Sequence, residues 1–230
     1  MSECRGSVFS YKAVVWDLDG TLYYQNKMRV TMLWKLVSFY ALHPLRIKEL
    51  FAVRKFRKVR ELWDRPASSE SLEEEQYEYT AKLMGLSPET VREAVETWIY
   101  DKPLKYIRAC RDEGAARLFS LLKEKGIGCY IFSDYPIEEK LEALGLEADG
   151  CYAATDKRLG VLKPDPRGLE LIMEDTGFKP GDLLMIGDRD SKDGEAARRA
   201  GCDYLILPKS RRARENKYDL HELQSAGGRA

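Results

Sequence analysis

Short, wholly apolar runs alternate with longer amphipathic stretches along this chain, and that rhythm predicts most of its architecture. The apolar runs fall at 13–17, 128–132, 151–154, 183–186 and 203–207. Ala13-Val14-Val15-Trp16 and Leu183-Leu184-Met185-Ile186 lack the in-out alternation of a half-exposed strand, so they read as strands buried on both faces, as in a parallel sheet. Helical periodicity occupies 111–125, 136–144, 166–176 and 193–200. Gly145, Gly177 and Gly201 each follow a helical stretch, where a left-handed residue commonly ends the helix. Strands alternating with helices of this length predict right-handed βαβ units and a doubly wound parallel α/β sheet.

The rhythm stops between the first two strands. Residues 25–104 hold no strand-like run but several helical faces, among them Leu33, Leu36, Val37 and Tyr40, and Val91, Val95, Trp98 and Ile99. Ser87-Pro88-Glu89 is a helix start, and Arg65-Pro66-Ala67-Ser68-Ser69 reads as a break between two halves. The expected organisation is a core formed by 1–24 and 105–215, an all-helical insertion at 25–104, and a C-terminal tail at 216–230. Ser133 and Lys163 are too close for a second insertion between them.

Chemistry collects where the apolar runs end. The first run breaks into Asp17-Leu18-Asp19-Gly20-Thr21, the second into Ser133-Asp134 and the fourth into Gly187-Asp188, followed by Asp190 and Asp193. Lys163 sits in a segment that Pro164 and Pro166 keep out of regular structure. The carboxyl ends of parallel strands are where open α/β sheets bind ligands. Asp17 and Asp19 are two residues apart, so in extended backbone their carboxylates point the same way. Such a pair can divide labour, one as nucleophile or metal ligand and the other as proton donor.

Acid pair, hydroxyl, lysine and acid pair, in that order, resemble the four motifs of the haloacid dehalogenase superfamily of phosphotransferases, DxDGT, Ser/Thr, Lys and GDxxxxD. The resemblance covers nearly the whole chain outside 25–104 and implies a Rossmann-like core with an early helical cap acting as a mobile lid. It also implies that Asp17 attacks phosphorus to form an aspartyl-phosphate while Asp19 serves as acid and then base. Lys163 would offset charge, and Ser133, with Asp134 beside it, would lie at the phosphoryl group. Thr21 would shape the turn. Acids converging on a phosphate need a cation, since like charges 4 Å apart repel by roughly 4 kcal/mol at an effective dielectric of 20. Oxygen donors suit Mg²⁺, with Asp17, Asp188 and the Asp19 carbonyl as ligands and Asp193 orienting them. Two departures add negative charge: Asp134, where related proteins often have a neutral residue, and Asp190, a rival to Asp193.

The expected activity is Mg²⁺-dependent hydrolysis of a small phosphorylated metabolite. A sugar phosphomutase, or a non-catalytic phosphate-binding protein, remains an alternative. A dehalogenase does not need the acid at Asp19, and a phosphonatase would need a cap lysine, for which Lys27 and Lys35 are unsupported candidates. Equal numbers of acidic and basic residues, 38 each, give no case for a nucleic-acid or membrane partner. The five cysteines lack zinc spacing, and the chain reads as reduced and cytoplasmic. Its oligomeric state is not legible. Charge within the insertion is uneven: ten Lys/Arg against Glu49 alone from Lys27 to Arg60, then nine acids against Lys82 and Arg92 from Glu70 to Asp101. Mutual pairing of the two halves is the expected reason. Attraction of an anionic substrate ranks behind it, and contact of the basic stretch with a membrane surface ranks last. The basic segment Lys209–Arg214 reads as a frayed terminus.

Overall fold

The structure is a computed structural model and describes residues 7–68, 71–215 and 218. Strands β1 (Ala13–Trp16), β2 (Gly128–Ser133), β3 (Gly150–Ala153), β4 (Leu183–Gly187) and β5 (Asp203–Ile206) form one sheet in the order β3-β2-β1-β4-β5. Every pairing is parallel; Val15, for example, lies opposite Tyr130 on one side and Met185 on the other.

Between β1 and β2 the chain runs through α1 (Gln25–Leu42), α2 (Ile47–Glu61), α3 (Leu72–Met84), α4 (Pro88–Val95) and α5 (Lys102–Ile107), then α6 (Glu113–Glu124). The later crossovers carry α7 (Glu138–Leu144), α8 (Arg167–Thr176) and α9 (Glu195–Ala200). The period-two alternation of β1 divides the core. Val14 and Trp16 pack in one layer with Phe119 and Leu122 of α6 and Leu144 of α7. Ala13 and Val15 enter the other layer with Leu169, Ile172 and Ala197 of α8 and α9. A central strand covered on both faces is the doubly wound α/β arrangement its apolar run predicts.

The helix starts follow their side chains. Ser87 accepts a hydrogen bond from Thr90 N at 3.2 Å and caps α4; Asp112 accepts from Gly114 N and Ala115 N and caps α6. Val91, Val95, Trp98 and Ile99 are all buried, as their spacing predicts.

Three expectations need correction. On α1 the buried row is Met28, Met32, Leu36 and Tyr40, whereas Leu33 and Val37 are exposed. That helix is apolar nearly all round, so periodicity alone does not choose the face that packs. Among the described residues the two charged halves of the insertion also barely pair. Arg60 lies 3.6 Å from Glu73, but Arg92 pairs with Glu74 inside the acidic half and Arg46 with Glu49 inside the basic half. Finally, the segment ending at Arg214 is not frayed. Residues 211–215 are helical, and the buried Arg214 donates to the carbonyls of Gly20 (2.5 Å), Thr21 (3.2 Å) and Pro208 (2.6 Å). It also pairs with the buried Asp112 at 3.2 Å, onto which Tyr218 donates. A basic residue near a chain end reads as solvated until a buried carboxylate is seen opposite it. Apart from Tyr218, the expected tail at 216–230 lies outside the described residues.

Arg214→Ala leaves Asp112 buried without a counter-charge and releases two carbonyls of the loop after β1. Loss of one partner of a buried pair costs about 3–5 kcal/mol, so urea unfolding of this variant is expected to show a loss of that size. Arg212→Ala, two residues away and exposed, is expected to stay within about 0.5 kcal/mol of the parent.

Candidate active site

Three of the predicted groups start from strand ends. β1 delivers Asp17, β2 delivers Ser133 and Asp134, and β4 delivers Gly187 and Asp188; the loop before α8 supplies Lys163. Because the strands are parallel and adjacent, all these ends lie on one edge of the sheet.

Lys163 is the hub. Its buried ammonium donates to Asp17 Oδ1 at 2.5 Å, Asp193 Oδ1 at 2.7 Å and the Phe132 carbonyl at 3.2 Å. Burial opposes its charge, but the adjacent Asp17 and Asp193 carboxylates prevail and hold it protonated well above the ordinary lysine range. Burial raises the Asp17 carboxyl above its ordinary value against the pull of Lys163. Thr21 Oγ1 donates to the other oxygen of Asp17 at 2.8 Å. Asp193 uses its second oxygen to accept from the backbone N–H groups of Asp188 and Arg189, at 3.2 and 3.0 Å.

The four-residue gap between Asp188 and Asp193 closes in a π-helical turn over Asp190–Gly194 that returns Asp193 to the strand end. Two glycines make room for the acids. A Cβ at Gly187 would lie 2.3 Å from the Asp193 carboxyl, and one at Gly20, whose φ is +111°, would lie 2.6 Å from Asp188 Oδ2. Asp190 instead pairs with Arg198 at 2.9 Å, so it does not compete for the place of Asp193.

One carboxylate oxygen from each of Asp17, Asp188 and Asp193 lies within 4.8 Å of the others. Asp188 Oδ1 is buried and accepts no hydrogen bond. An orphaned anionic oxygen beside two further carboxylates fits a hard divalent cation. Burial, reinforced by Asp17, raises Asp188 to about 6, the direction expected when no cation offsets the charge.

The cleft over this cluster has a volume of about 440 Å³. Asp17, Asp19, Asp134, Lys163, Asp188 and Asp193 line it on the core side, and Gln25, Asn26, Arg29 and Glu61 on the insertion side. Ser133 and Thr21 are buried just behind the wall. Ser133 Oγ accepts from Tyr135 N at 3.1 Å, shaping the turn. Asp134 accepts from the backbone N–H of Lys163 at 2.8 Å and so positions the lysine.

A profile of haloacid dehalogenase-like hydrolases matches residues 11–201. The chain belongs to that family. Among solved structures, a 2-haloacid dehalogenase from Pseudomonas syringae pv. Tomato DC3000 is 18% identical, with 86% of each chain covered and a TM-score of 0.60. The putative hydrolase YfnB of Bacillus subtilis, solved bound to magnesium, is 16% identical over 86% of each chain, with a TM-score of 0.57. A predicted phosphatase from Clostridium acetobutylicum is 17% identical over 94% of this chain and 99% of its own, also at 0.57. At these identities the likeness is one of fold. None of the curated proteins matches the chain.

The haloacid dehalogenase-like core explains the acids and Lys163, but four side chains that the motifs do not mark also reach the strand ends. Asp19 is held by Lys140 of α7, at 2.7 and 2.8 Å from its two oxygens, and by the Tyr23 hydroxyl. Burial, and then Asp19, push the Tyr23 hydroxyl well above its ordinary range, so it acts as a donor. Arg60 of α2 reaches the Asp134 carbonyl and stacks on Tyr135 at 4.4 Å. Glu61 of α2 pairs with Arg189. Nothing in the local spacing of these residues marks them; only the fold brings them to the strand ends.

A divalent cation is expected to raise the thermal unfolding midpoint at neutral pH, and the rise is expected to shrink as pH falls through about 6, where Asp188 takes up a proton. Without the cation, the raised Asp188 gives the folded state a proton the unfolded chain has lost. Its contribution to stability therefore falls as pH rises from the ordinary carboxylate range to about 6. Asp188→Asn is expected to remove both effects in paired scans with and without EDTA.

Proposed function

We infer that this chain is a phosphatase using Mg²⁺ and an aspartyl-phosphate intermediate to hydrolyse a small phosphorylated metabolite, with helices α1–α5 as the cap over its cleft. The observation that carries this reading is the second carboxylate. Asp19 stands in the same cleft as Asp17 and is oriented by both Lys140 and Tyr23. A halide leaves without a proton, so a dehalogenase has no use for so firmly positioned an acid; an alkoxide leaving group requires one.

Asp17 attacks phosphorus as the bond to the ester oxygen breaks, and Asp19, as general acid, delivers the proton that oxygen takes up. Asp19 then takes a proton from water as the water oxygen attacks phosphorus and the bond to Asp17 breaks. Lys163 neutralises Asp17 and the charge gathering on the phosphoryl oxygens, while Asp134 holds its backbone in place. Tyr23 and Lys140 keep Asp19 beside the leaving oxygen. Asp17 and Asp188, with Asp193 steadying them, would hold Mg²⁺, which would supply electrophilic charge at the phosphoryl group.

Phosphate release from a panel of phosphorylated metabolites is expected to require Mg²⁺ and to vanish in Asp17→Asn. Asp19→Asn is expected to lower kcat by about 10²–10⁴-fold, the usual contribution of a general acid, with little change in stability. Near-parental kcat in Asp19→Asn would remove the role assigned to that residue. Conversion of a sugar phosphate to its isomer without release of phosphate would point to a mutase instead.

A further inference from the structure

Helix α1 is apolar on two sides, and only one of them is covered. Met28, Met32, Leu36 and Tyr40 face the interior, whereas Val30, Leu33, Trp34 and Val37 are between 50% and 70% exposed. At the helical repeat these four share a stripe about 100° wide, turned away from the buried row. The apolar surface continues past the helix end. Leu42, the last residue of α1, and Leu45, in the turn after it, are 79% and 98% exposed, and Ile47 and Phe51 are exposed on the first turns of α2. Eight of the eleven large apolar side chains exposed among the described residues thus fall within 30–51. Scattered exposed hydrophobics are ordinary, but a concentration on adjoining elements marks a surface with a partner.

The charge beside it narrows the partner. Glu49, the only acid between Lys27 and Arg60, is bound to Arg46 at 2.6 Å. Lys48, Arg54, Lys55 and Lys58 make no ion pair among the described residues; in the acidic half, Glu73 lies near Arg60 and Glu74 pairs with Arg92. On α2 the spacing puts these cations on the same face as Ile47, Phe51 and Leu62. A second copy of the chain would press unpaired cations against unpaired cations, which costs energy. An anionic bilayer offers hydrocarbon to the apolar stripe and lipid phosphates to the lysines and arginines at once.

We propose that the α1–α2 corner of the insertion seats this protein on the surface of an anionic phospholipid bilayer. The helices lie in the interface and do not cross it; no described helix is long and apolar enough to span a membrane. Helix α1 also supplies Gln25, Asn26 and Arg29 to the wall of the active-site cleft, so one helix borders both surfaces. The proposal stands on the exposed face and its charge and does not depend on the reaction performed in the cleft.

The chain carries its own reporter. Trp34 is 70% exposed, while Trp16, Trp63 and Trp98 are buried. A blue shift in tryptophan emission on mixing with lipid therefore reads this surface. The full chain is expected to float with vesicles of phosphatidylcholine and phosphatidylglycerol, with a blue shift, and not with phosphatidylcholine alone. Raised salt is expected to weaken the binding. Leu33→Ser with Val37→Ser, and separately Lys48→Gln with Arg54→Gln and Lys58→Gln, are each expected to bind about tenfold more weakly. Unfolding midpoints and hydrolysis of p-nitrophenyl phosphate in these variants are expected to match the parent, separating lost docking from lost folding. Absence of flotation and of the blue shift with anionic vesicles overturns the proposal, as does equal binding to neutral vesicles. A dimer in sedimentation that Trp34→Ser dissolves, without vesicle binding, assigns the face to a second copy instead.

Discussion

The buried ammonium of Lys163 is the interaction on which the strand-end loops depend. Asp17 and Asp193 are both buried, and among the described residues neither has another cation within hydrogen-bonding distance. Two such carboxylates cannot share that volume unneutralised, because at low effective dielectric their repulsion and desolvation outweigh any packing gain. Lys163 meets both, and its own backbone is held in turn: Asp134 accepts from its N–H and Lys192 donates to its carbonyl at 2.5 Å. Loops from β1, β2 and β4 are thereby tied to one charge. The absence of side chains at Gly20 and Gly187 follows from the same crowding, since a Cβ at either would strike an acid of the cluster.

The insertion is joined to this centre by polar anchors as well as by packing. Arg60 is buried, shared between Gln76 Oε1 at 2.7 Å and the Asp134 carbonyl, while Glu61 next to it holds Arg189, the residue after Asp188. Among the described residues Gln76 Nε2 and Thr80 Oγ1 are buried without partners, whereas Arg60 reaches a partner in the core, the Asp134 carbonyl. Such polar contacts fix orientation more than they add stability. One consecutive pair of residues on α2 therefore touches the loops after both β2 and β4. The position of the insertion and the order of the strand-end loops are linked by that arrangement.

Much of the core was legible along the chain because a buried parallel strand writes itself as an uninterrupted apolar run, and because a carboxylate directly after such a run has few structural uses. Asp17 and Asp188 could be named on that ground, Asp193 and Lys163 by their place in the order of the four motifs, and the four meet. Lys140, Tyr23 and Arg60 could not, since a lysine near the start of a helix or an arginine near the end of one is ordinarily solvated. Arg214 carries no local sign of its burial for the same reason. The wrong face chosen for α1 has a different origin: with apolar residues on both sides, the helical period contains no information about which side meets α5. The expected pairing of charged halves failed because each half satisfies some of its charge internally, as Arg92 with Glu74 and Arg46 with Glu49, while other cations of the basic half stay without an ion pair among the described residues.

Sequence by itself determined the strands, their parallel arrangement, the early helical insertion and the acids that crowd the strand ends, since each is encoded in local pattern and read over a few residues. Tertiary structure decided which cation offsets which acid, which groups hold Asp19, and which side of α1 is left without cover. Those outcomes depend on groups far apart in the chain being desolvated together, as Lys140 and Asp19 are across 121 positions. The energy of a charge or an apolar face is set by what lies opposite it in space, and no local pattern records that.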